Sequence, residues 1–386
     1  GGVKGFIRLL ESRSWVNSPQ RAKWLAYLTG VVIFIESNIT LLVAGAISRP
    51  LFDRYNLARE KLAYIIDSTS APICIMIPLN AWGAVIISLV SSSGINNALE
   101  VFMFAIPFNF YPIVVILFAA VVIGANVHIG AMKRAQDRTE KGDFLWPDAT
   151  PMVDPSVFSQ AETTSEYDRA SFMIVPIVCM VLAMPFGLYI TGDGIISNGS
   201  GSTAVLWAVL IGLFSAWVLG LAHQRISLHE LMETFLRGAG GFLPVAMILL
   251  LALALGDVAD LLGTGPYVAQ LVQDAIPLLL LLPLLFLVSS FISFSIGSSW
   301  GTFAIMIPLA LQIAISLELS EPLFLAAVLS GSVFGDHASP ISDTTVVASM
   351  ASATDHIDHV KTQLPYALFS ASIALVCFFL AGILFL

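Results

Sequence analysis

Long apolar segments recur along the chain and are separated by short polar ones. The clearest examples are residues 100–126, 170–191, 203–223, 241–256 and 365–386. A helix of about 20 apolar residues has the length that spans a bilayer. The alternating pattern of a transmembrane β-barrel is absent from the sequence. The hydrophobic pattern therefore predicts an all-α polytopic membrane protein.

Two apolar segments are interrupted by charged residues and a proline. The interrupting residues are Asp67 and Pro72 in the segment 62–90, and Asp336, His337, Pro340 and Asp343 in the segment 323–350. A proline inside a helix removes a hydrogen bond and breaks or kinks the helix. Ionisable groups within a bilayer are costly unless they face a cavity or a partner, so they mark ion or substrate pathways. We therefore expect two broken helices that carry the chemistry.

The composition agrees with a membrane protein. Of the 386 residues, 57% are hydrophobic and only 11% are charged, and the mean hydropathy of +0.89 lies outside the range of soluble domains. The three cysteines all lie in apolar segments, where they pack as small hydrophobic residues. The formal net charge of -9 identifies no partner, because the placement of Lys and Arg matters more than their sum.

The positions of Lys and Arg give a topology. Segments with basic residues are expected in the cytoplasm, and segments without them outside. Residues 24–47 have basic residues on both flanks, which a single span would place on opposite sides. A re-entrant hairpin that turns near residues 36–39 returns both flanks to the cytoplasm. Residues 276–316 must return to the outside, as a second hairpin or as two short spans. All 17 Lys and Arg then lie on one side.

The predicted organisation contains two similar units. The parts are a cytoplasmic amphipathic surface helix at 1–23; a first repeat of the transport unit at 24–127, with a hairpin at 24–48, a broken helix at 62–90 and a helix at 100–127; a cytoplasmic loop at 128–169; scaffold helices at 170–275; and a second repeat at 276–386, with a hairpin at 276–316, a broken helix at 322–352 and a helix at 364–386. The hairpins enter from opposite sides, so the units are inverted structural repeats, as in many secondary transporters. The chain starts with Gly, and we expect further residues upstream.

Broken helices supply what a small cation needs. Unwound turns expose carbonyl oxygens, and Asp, Asn, Ser and Thr add oxygen ligands that suit Na⁺ or Li⁺ better than a transition metal. A carboxylate that binds either H⁺ or Na⁺ is sufficient for exchange. Asp336 and Asp343 are seven residues apart, which is one face of a regular helix unless the Pro340 break alters it.

The candidate ion-binding and proton-binding residues lie at the two breaks and the two hairpin tips. They are Asp336, Asp343, Asp67, Glu36, Ser37, Asn38, Thr40, Ser70, His337, Ser339, Ser342, Thr344, Ser298, Ser299 and Thr302. Within this set we expect Na⁺ at Asp336, Asp343, Asn38 and Ser70. No cofactor is expected besides the transported ions.

Structural explanations remain open for several of these residues. The two prolines alone could simply kink helices. Glu36 and Asp67 could be hydrogen-bond partners that fix a hairpin tip, and His337 could orient an aspartate or relay protons. Residues 355–359 resemble a metal site in composition, but their position in a short basic loop favours a solvated helix start.

Residues 335–345, together with 355–360, 362–366 and 59–72, resemble the NhaC family of Na⁺/H⁺ antiporters. The resemblance implies paired re-entrant hairpins with broken helices, and a homodimer that moves its transport unit against a scaffold. Residues 37–40 resemble the hairpin tips of the wider ion-transporter superfamily, whereas residues 298–302 depart from them. Related proteins include malate/lactate exchangers and amino-acid carriers, so the resemblance does not fix the cargo.

These observations predict a secondary active transporter, and no enzyme. We expect exchange of Na⁺ or Li⁺ for H⁺ by alternating access in a bacterial-type inner membrane, without a nucleic-acid partner. The alternative is a Na⁺-coupled or H⁺-coupled carrier or exchanger of a small organic anion or amino acid. The absence of Lys and Arg from both breaks favours the bare cation. A receptor is disfavoured because no extramembrane region is large enough for a ligand domain.

Overall fold

The computed structural model describes residues 17–151, 169–194, 201–223, 227–241 and 277–385, apart from residues 35 and 79, together with isolated positions between 250 and 267. The regular structure of these residues is helical, as the hydrophobic pattern predicts. Most of the predicted surface helix at 1–23 and of the apolar run at 241–256 lies outside the described residues.

The first part of the chain forms short helices joined by tight breaks. They are α1 Pro19–Val32, α2 Ser37–Arg54, α3 Arg59–Asp67, α4 Ala71–Cys74, α5 Ala81–Ser92, α6 Ala98–Ala105, α7 Phe110–Gly124 and α8 Ala131–Thr139, with a 3-10 turn at Ile106–Phe108 between α6 and α7. Side-chain hydrogen bonding and proline define the start of α1. Ser18 accepts a hydrogen bond from Arg21 N and precedes Pro19, which favours the start of α1. The predicted loop 128–169 contains a helix, α8.

The second part contains the longer helices. They are α9 Ser171–Thr191, α10 Gly201–Ala222, α11 Leu228–Gly241, α12 Leu281–Ile296, α13 Ser299–Ser316, α14 Glu321–Ala338, α15 Asp343–Ser352 and α16 His356–Phe385, with a 3-10 turn at Leu278–Leu280 before α12. The last helix therefore begins eight residues before the predicted boundary at residue 364.

Four of the described helices are long and apolar enough to cross a membrane, and the pair α6 and α7, bent by 45°, would add a fifth. The four cover residues 174–191, 278–296, 299–316 and 356–385. Because α12 and α13 each have the length of a span, the region 276–316 fits two short spans as well as a hairpin.

Both predicted helix breaks are confirmed. In the first, α3 ends at Asp67 and α4 begins at Ala71. In the second, α14 ends at Ala338, and Ser342 caps α15 by accepting a hydrogen bond from Thr345 N. Each broken helix follows a pair of helices: α1 and α2 precede the first, and α12 and α13 precede the second. The repeat hypothesis requires this order. The inverted orientation of the two units stays a prediction.

The two parts of the chain interlock around the breaks. Helix α14 packs against α12, α13, α7 and α16, so it is the central helix of the described residues. Helix α15 packs against α2 and α3, across the sequence from its own half. Helices α9 and α10 pack mainly on each other and reach the rest through α5. The second break is therefore enclosed by elements from both halves.

Two glycines bring α14 into backbone contact with α12. A Cβ atom at Gly335 would lie 2.2 Å from the carbonyl oxygen of Ser290, and one at Gly331 would lie 2.3 Å from that of Phe286. Glycines four residues apart allow this close approach between membrane helices. The contact fixes the position of Asp336, the residue that follows Gly335.

We expect Gly335→Ala to destabilise the protein, because the new methyl group meets backbone atoms that cannot rotate away. Overpacking of this kind costs about 1–3 kcal/mol. Thermal unfolding of the detergent-purified chain measures it. The matched control is Gly240→Ala, since a Cβ atom at that exposed position meets no described atom within 4 Å. Equal stability of the two variants would contradict the close contact.

Candidate ion-binding site

Asp336 lies in the last turn of α14, beside the second break. Its side chain is buried, with 1% of the residue exposed. The hydroxyl of Ser299 donates to Oδ2 and that of Ser342 donates to Oδ1, each at 2.5 Å. Ser299 is the first residue of α13, and Ser342 precedes α15. The carboxylate is thus held by one hydroxyl group from the break itself and one from the start of α13.

The hydroxyl cluster extends beyond these two bonds. Ser342 Oγ lies 3.0 Å from the hydroxyl of Thr344, and Ser339 donates at 2.8 Å to the carbonyl of Phe294. Ser299 Oγ also lies 3.4 Å from the carbonyl of Ser332. The break therefore presents a set of oxygen atoms around one buried carboxylate.

Asp343 is separated from Asp336 by the break. It is exposed, and its carboxylate accepts hydrogen bonds from its neighbour Thr344 N, at 2.9 Å, and from the side chain of Asn38. Residues 339–342 are not helical, so the two aspartates do not share a helix face. Instead, Asp343 connects the second break to the tip between α1 and α2.

A second carboxylate, Asp67, lies at the first break and is 1% exposed. Its Oδ2 atom accepts a hydrogen bond from Gln363 Nε2 at 2.8 Å and lies 3.4 Å from His359 Nε2 and 3.9 Å from His337 Nε2. The surroundings of Asp67 are nitrogen donors, in contrast to the hydroxyl groups around Asp336. Asp67 Oδ1, His359 Nδ1 and Gln363 Oε1 have no hydrogen-bond partner among the described residues.

His337 connects the two carboxylates. It follows Asp336 in α14, and its Nδ1 atom lies 2.6 Å from the hydroxyl of Tyr111, while its Nε2 atom lies 3.4 Å from Ser68 Oγ. Gln363 Nε2 donates both to Asp67 and, at 2.7 Å, to the carbonyl of His337. Gln363 therefore links the two breaks by hydrogen bonds.

The remaining candidates hold the backbone near the breaks. Ser70 donates at 3.2 Å to the carbonyl of Asp67, and Thr302 donates at 3.1 Å to that of Ser298. At the first tip, Ser37 donates to Glu36 Oε1 at 3.2 Å. Thr40 there donates to the carbonyl of Glu36, at 2.8 Å, and also contacts the carbonyl of Ile33. The structure thus places Ser70 beside Asp67, and Asn38 beside Asp343.

A sequence profile described as the Na⁺/H⁺ antiporter family matches residues 82–383. The chain belongs to the Na⁺/H⁺ antiporter family. Its apolar helices and this membership make it a membrane protein.

Relatives of this Na⁺/H⁺ antiporter family member are named for different transport reactions. An uncharacterized protein of Haemophilus influenzae is 32% identical over 405 residues, which cover 99% of this chain and 75% of the relative. The malate-2H(+)/Na(+)-lactate antiporter of Bacillus subtilis is 30% identical over 185 residues, 46% of this chain and 38% of the relative. The arginine/ornithine antiporter ArcD of Halobacterium salinarum is 26% identical over 219 residues, 56% and 43% of the two chains. The chain thus spans less than half the length of each relative named for a reaction.

Three residues of this Na⁺/H⁺ antiporter family member, Tyr111, His359 and Gln363, were absent from the predicted site. Tyr111 lies in a uniformly apolar helix, so the sequence gives no signal for it. His359 and Gln363 are four residues apart, hence on one face of α16, and a helix starting at His356 would have revealed them. The interpretation of 355–359 as solvated is wrong for the histidines, since His359 is fully buried.

The start of α16 supports the second break directly. His356 Nε2 donates to the carbonyl of Pro340 at 2.6 Å, and its Nδ1 atom lies 3.1 Å from the hydroxyl of Ser349. Asp355 Oδ1 accepts from the backbone of Ile357, at 2.9 Å, and caps the helix. A structural role thus accounts for Asp355 and His356. No group of three or more His, Cys, Asp or Glu residues suited to a metal ion occurs among the residues that the structure describes.

A buried ion pair joins α8 to α3. Arg138 of α8 pairs with Glu60 of α3 at 3.0 Å, with side-chain exposures of 7% and 1%. Arg138 also donates at 2.9 Å to the carbonyl of Phe144 and lies over the ring of Trp146. The pair fastens α8 to the start of α3.

We expect Arg138→Gln to cost about 3–5 kcal/mol, because it leaves Glu60 buried without its cation. Denaturant or thermal unfolding of the purified chain measures the loss. Arg134→Gln, at an exposed position of the same helix, is the control. The double variant Arg138→Gln with Glu60→Gln should recover part of the stability. Indistinguishable midpoints for Arg138→Gln and Arg134→Gln would show that the ion pair contributes nothing.

Proposed function

We propose that the protein exchanges Na⁺ or Li⁺ for H⁺ across the membrane by alternating access at the two breaks. The observation that carries this proposal is the buried Asp336 carboxylate, held between the hydroxyl groups of Ser299 and Ser342. Hydroxyl and carboxylate oxygens are the ligands that hard cations prefer. Membership of the Na⁺/H⁺ antiporter family supports the same cargo.

The hydroxyls around Asp336 suit an exchange that involves a cation. In the described arrangement each serine donates its proton to the carboxylate. Rotation about the C–O bond turns the oxygen lone pairs towards a bound cation instead, while the carboxylate stays in place. Ser342 and Thr344 would contribute to the same oxygen set. The contacts described for Asp336 include no Lys or Arg, which would compete with a cation.

Asp67 is better suited to bind a proton. Its neighbours Gln363, His359 and His337 present nitrogen atoms to the carboxylate, and the amide N–H of Gln363 repels a cation. A carboxylate next to two imidazoles can accept one proton and become neutral as a group. We propose that Asp336 carries the cation and the Asp67 group carries the proton.

Asp343, Asn38 and Ser70 remain proposed Na⁺ ligands. Asp343 is exposed and accepts from Asn38, so this pair could receive the ion before Asp336 does. Ser70 contacts the backbone of Asp67. We further propose a homodimer in the inner membrane that needs no cofactor, with support from the resemblance to the wider superfamily.

Proton flux in proteoliposomes tests the exchange. The purified chain is reconstituted with a trapped pH-sensitive dye, and a proton gradient is imposed without Na⁺. Addition of Na⁺ or Li⁺ should dissipate the gradient within seconds to minutes, whereas K⁺ or choline should not. A gradient that persists with every alkali cation would exclude the proposal.

A second candidate is exchange of a small organic solute. The observation that favours it is the names of the relatives, an antiporter of malate and lactate and one of arginine and ornithine. The same vesicles test it, with malate, lactate, arginine or ornithine added in place of the cation. A response to one of these solutes, without a response to Na⁺ or Li⁺ alone, would replace the bare-cation proposal.

A further inference from the structure

A cavity of about 380 Å³ lies outside the two breaks, and none of its lining residues belongs to either break. Its lining comes from the start of α1, the turn after α2, the turn after α7, and α8, and it includes Gln20, Lys23, Asn126, His128 and Glu140. None of these residues contacts Asp336 or Asp67. We call this cavity the basic pocket.

Two buried lysines give the basic pocket its charge, and Lys23 supplies most of it, because burial and after it the charge of Lys23 lower the pKa of Lys61 to about 7. Lys23 is 2% exposed, and its ammonium group donates to Asn126 Oδ1 at 2.5 Å. Lys61, from α3, is fully buried behind the pocket, and its Nζ atom lies 2.9 Å from His128 Nε2 and 3.5 Å from the carbonyl of Val127. All of these partners are neutral, and no carboxylate of the described residues lies within 4 Å of either ammonium group.

The turn after α7 shapes these contacts. Asn126 has a φ of 52°, a left-handed conformation that Asn tolerates better than most residues. Gln20 Nε2 donates to the carbonyl of Ile123 at 2.5 Å. Gln20 therefore satisfies a carbonyl at the end of α7, and the lysines donate to the turn that follows it. A helix C-terminus carries only about half a negative charge, so it compensates only part of the positive charge of the lysines.

His128 does not add a third charge at neutral pH. Burial, and after it the ammonium groups of Lys61 and Lys23, lower the pKa of His128 to about 4. The neutral imidazole can thus accept a hydrogen bond from Lys61. The acidic group of the lining, Glu140, is exposed at the rim and accepts from Gln136 at 3.1 Å. The interior of the pocket is therefore positive and its rim carries one negative charge.

We propose that the basic pocket binds a phosphate group. Burying an ammonium group without a charged partner is costly, and an anion in the adjoining cavity would offset that cost. Basic pockets between helices at the cytoplasmic side of a membrane protein suit the headgroups of anionic lipids. Inorganic phosphate has the same chemistry, and the experiment separates the two sources.

Thermal unfolding of the full chain in detergent provides the titration. The probes are dioctanoyl phosphatidylglycerol, dioctanoyl phosphatidylcholine, and potassium phosphate against potassium chloride at equal ionic strength. Phosphatidylglycerol should stabilise the protein in a saturable way, and phosphatidylcholine should not. Protection by phosphate alone would identify a free anion as the ligand. Protection by neither, or equal protection by both lipids, overturns the proposal.

Two substitutions with opposite signs make the test specific. Lys23→Gln removes a charge-assisted hydrogen bond and should raise the midpoint concentration of the protecting ligand about tenfold. Glu140→Gln removes the negative charge of the rim and should lower that midpoint about fivefold. The control is Lys133→Gln, on an exposed position of α8 outside the lining, which should leave the midpoint unchanged.

The Glu140→Gln variant keeps the test decisive even if the Lys23→Gln variant misfolds. If Lys23→Gln does not fold, Glu140→Gln still decides, because an exposed side chain can be replaced without disturbing the core. An unchanged or higher midpoint in Glu140→Gln would overturn the proposal. So would a loss in Lys133→Gln as large as that in Lys23→Gln, because binding would then depend on surface charge in general.

Discussion

Asp336→Asn is expected to abolish Na⁺-driven proton flux, with a loss of about a hundredfold or more. Asparagine has the same shape, so Ser299 and Ser342 keep a partner and the break keeps its geometry. The variant loses the negative charge that a bound cation needs. Two unit charges about 4 Å apart attract each other by about 4 kcal/mol near a protein surface, which is more than a hundredfold loss of cation binding requires. Proteoliposomes with an internal pH dye provide the measurement.

Matched variants separate loss of charge from loss of fold. Asp193→Asn, at an exposed turn outside the breaks, should transport like the unmodified chain. Ser299→Ala and Ser342→Ala each remove one neutral donor, and they should weaken transport about tenfold. Unfolding midpoints of all variants should be recorded beside the flux. Full activity of a folded Asp336→Asn protein would remove Asp336 from the proposed cation site.

The sequence predicts the second break because charges and a proline in an apolar segment have a direct physical consequence. Charged residues and Pro340 in a long apolar segment are costly unless the helix stops there and the charges find partners. The structure ends α14 at Ala338 and restarts at Asp343. The expected common face of Asp336 and Asp343 depended on an uninterrupted helix, and the break itself removes that condition.

Other parts of the site could not be read from the sequence. Tyr111 contacts His337, yet its neighbours in α7 are apolar, and only the tertiary packing of α7 against α14 brings the two together. His359 was expected in solvent because a short basic loop was predicted there. The helix begins earlier, at His356. His359 and Gln363 are therefore both helical and lie on the face that contacts Asp67.

The second large effect is expected for Asp67→Asn. This variant should lose proton-coupled flux about a hundredfold while it keeps exchange of Na⁺ for Na⁺, followed with a radioactive tracer at equal pH on both sides. The asparagine oxygen can still accept from Gln363 Nε2, so the link between the breaks survives. The group can no longer accept a proton as a carboxylate beside His359 does.

Proton-coupled flux and Na⁺ exchange are compared in order to distinguish two mechanisms. In one, Asp336 binds the cation and Asp67 binds the proton; in the other, both ions compete for Asp336. If Asp336 carried both the cation and the proton, Asp67→Asn would reduce both fluxes equally or neither. His359→Gln keeps a side-chain amide near Asp67 but removes the imidazole, and it should impair the proton-coupled flux more than the Na⁺ exchange. Gln363→Ala instead removes the contact that Asp67 and the His337 carbonyl share. Because that contact joins the two breaks, Gln363→Ala should slow both fluxes together, and a selective loss of one would place Gln363 in the proton-binding group instead.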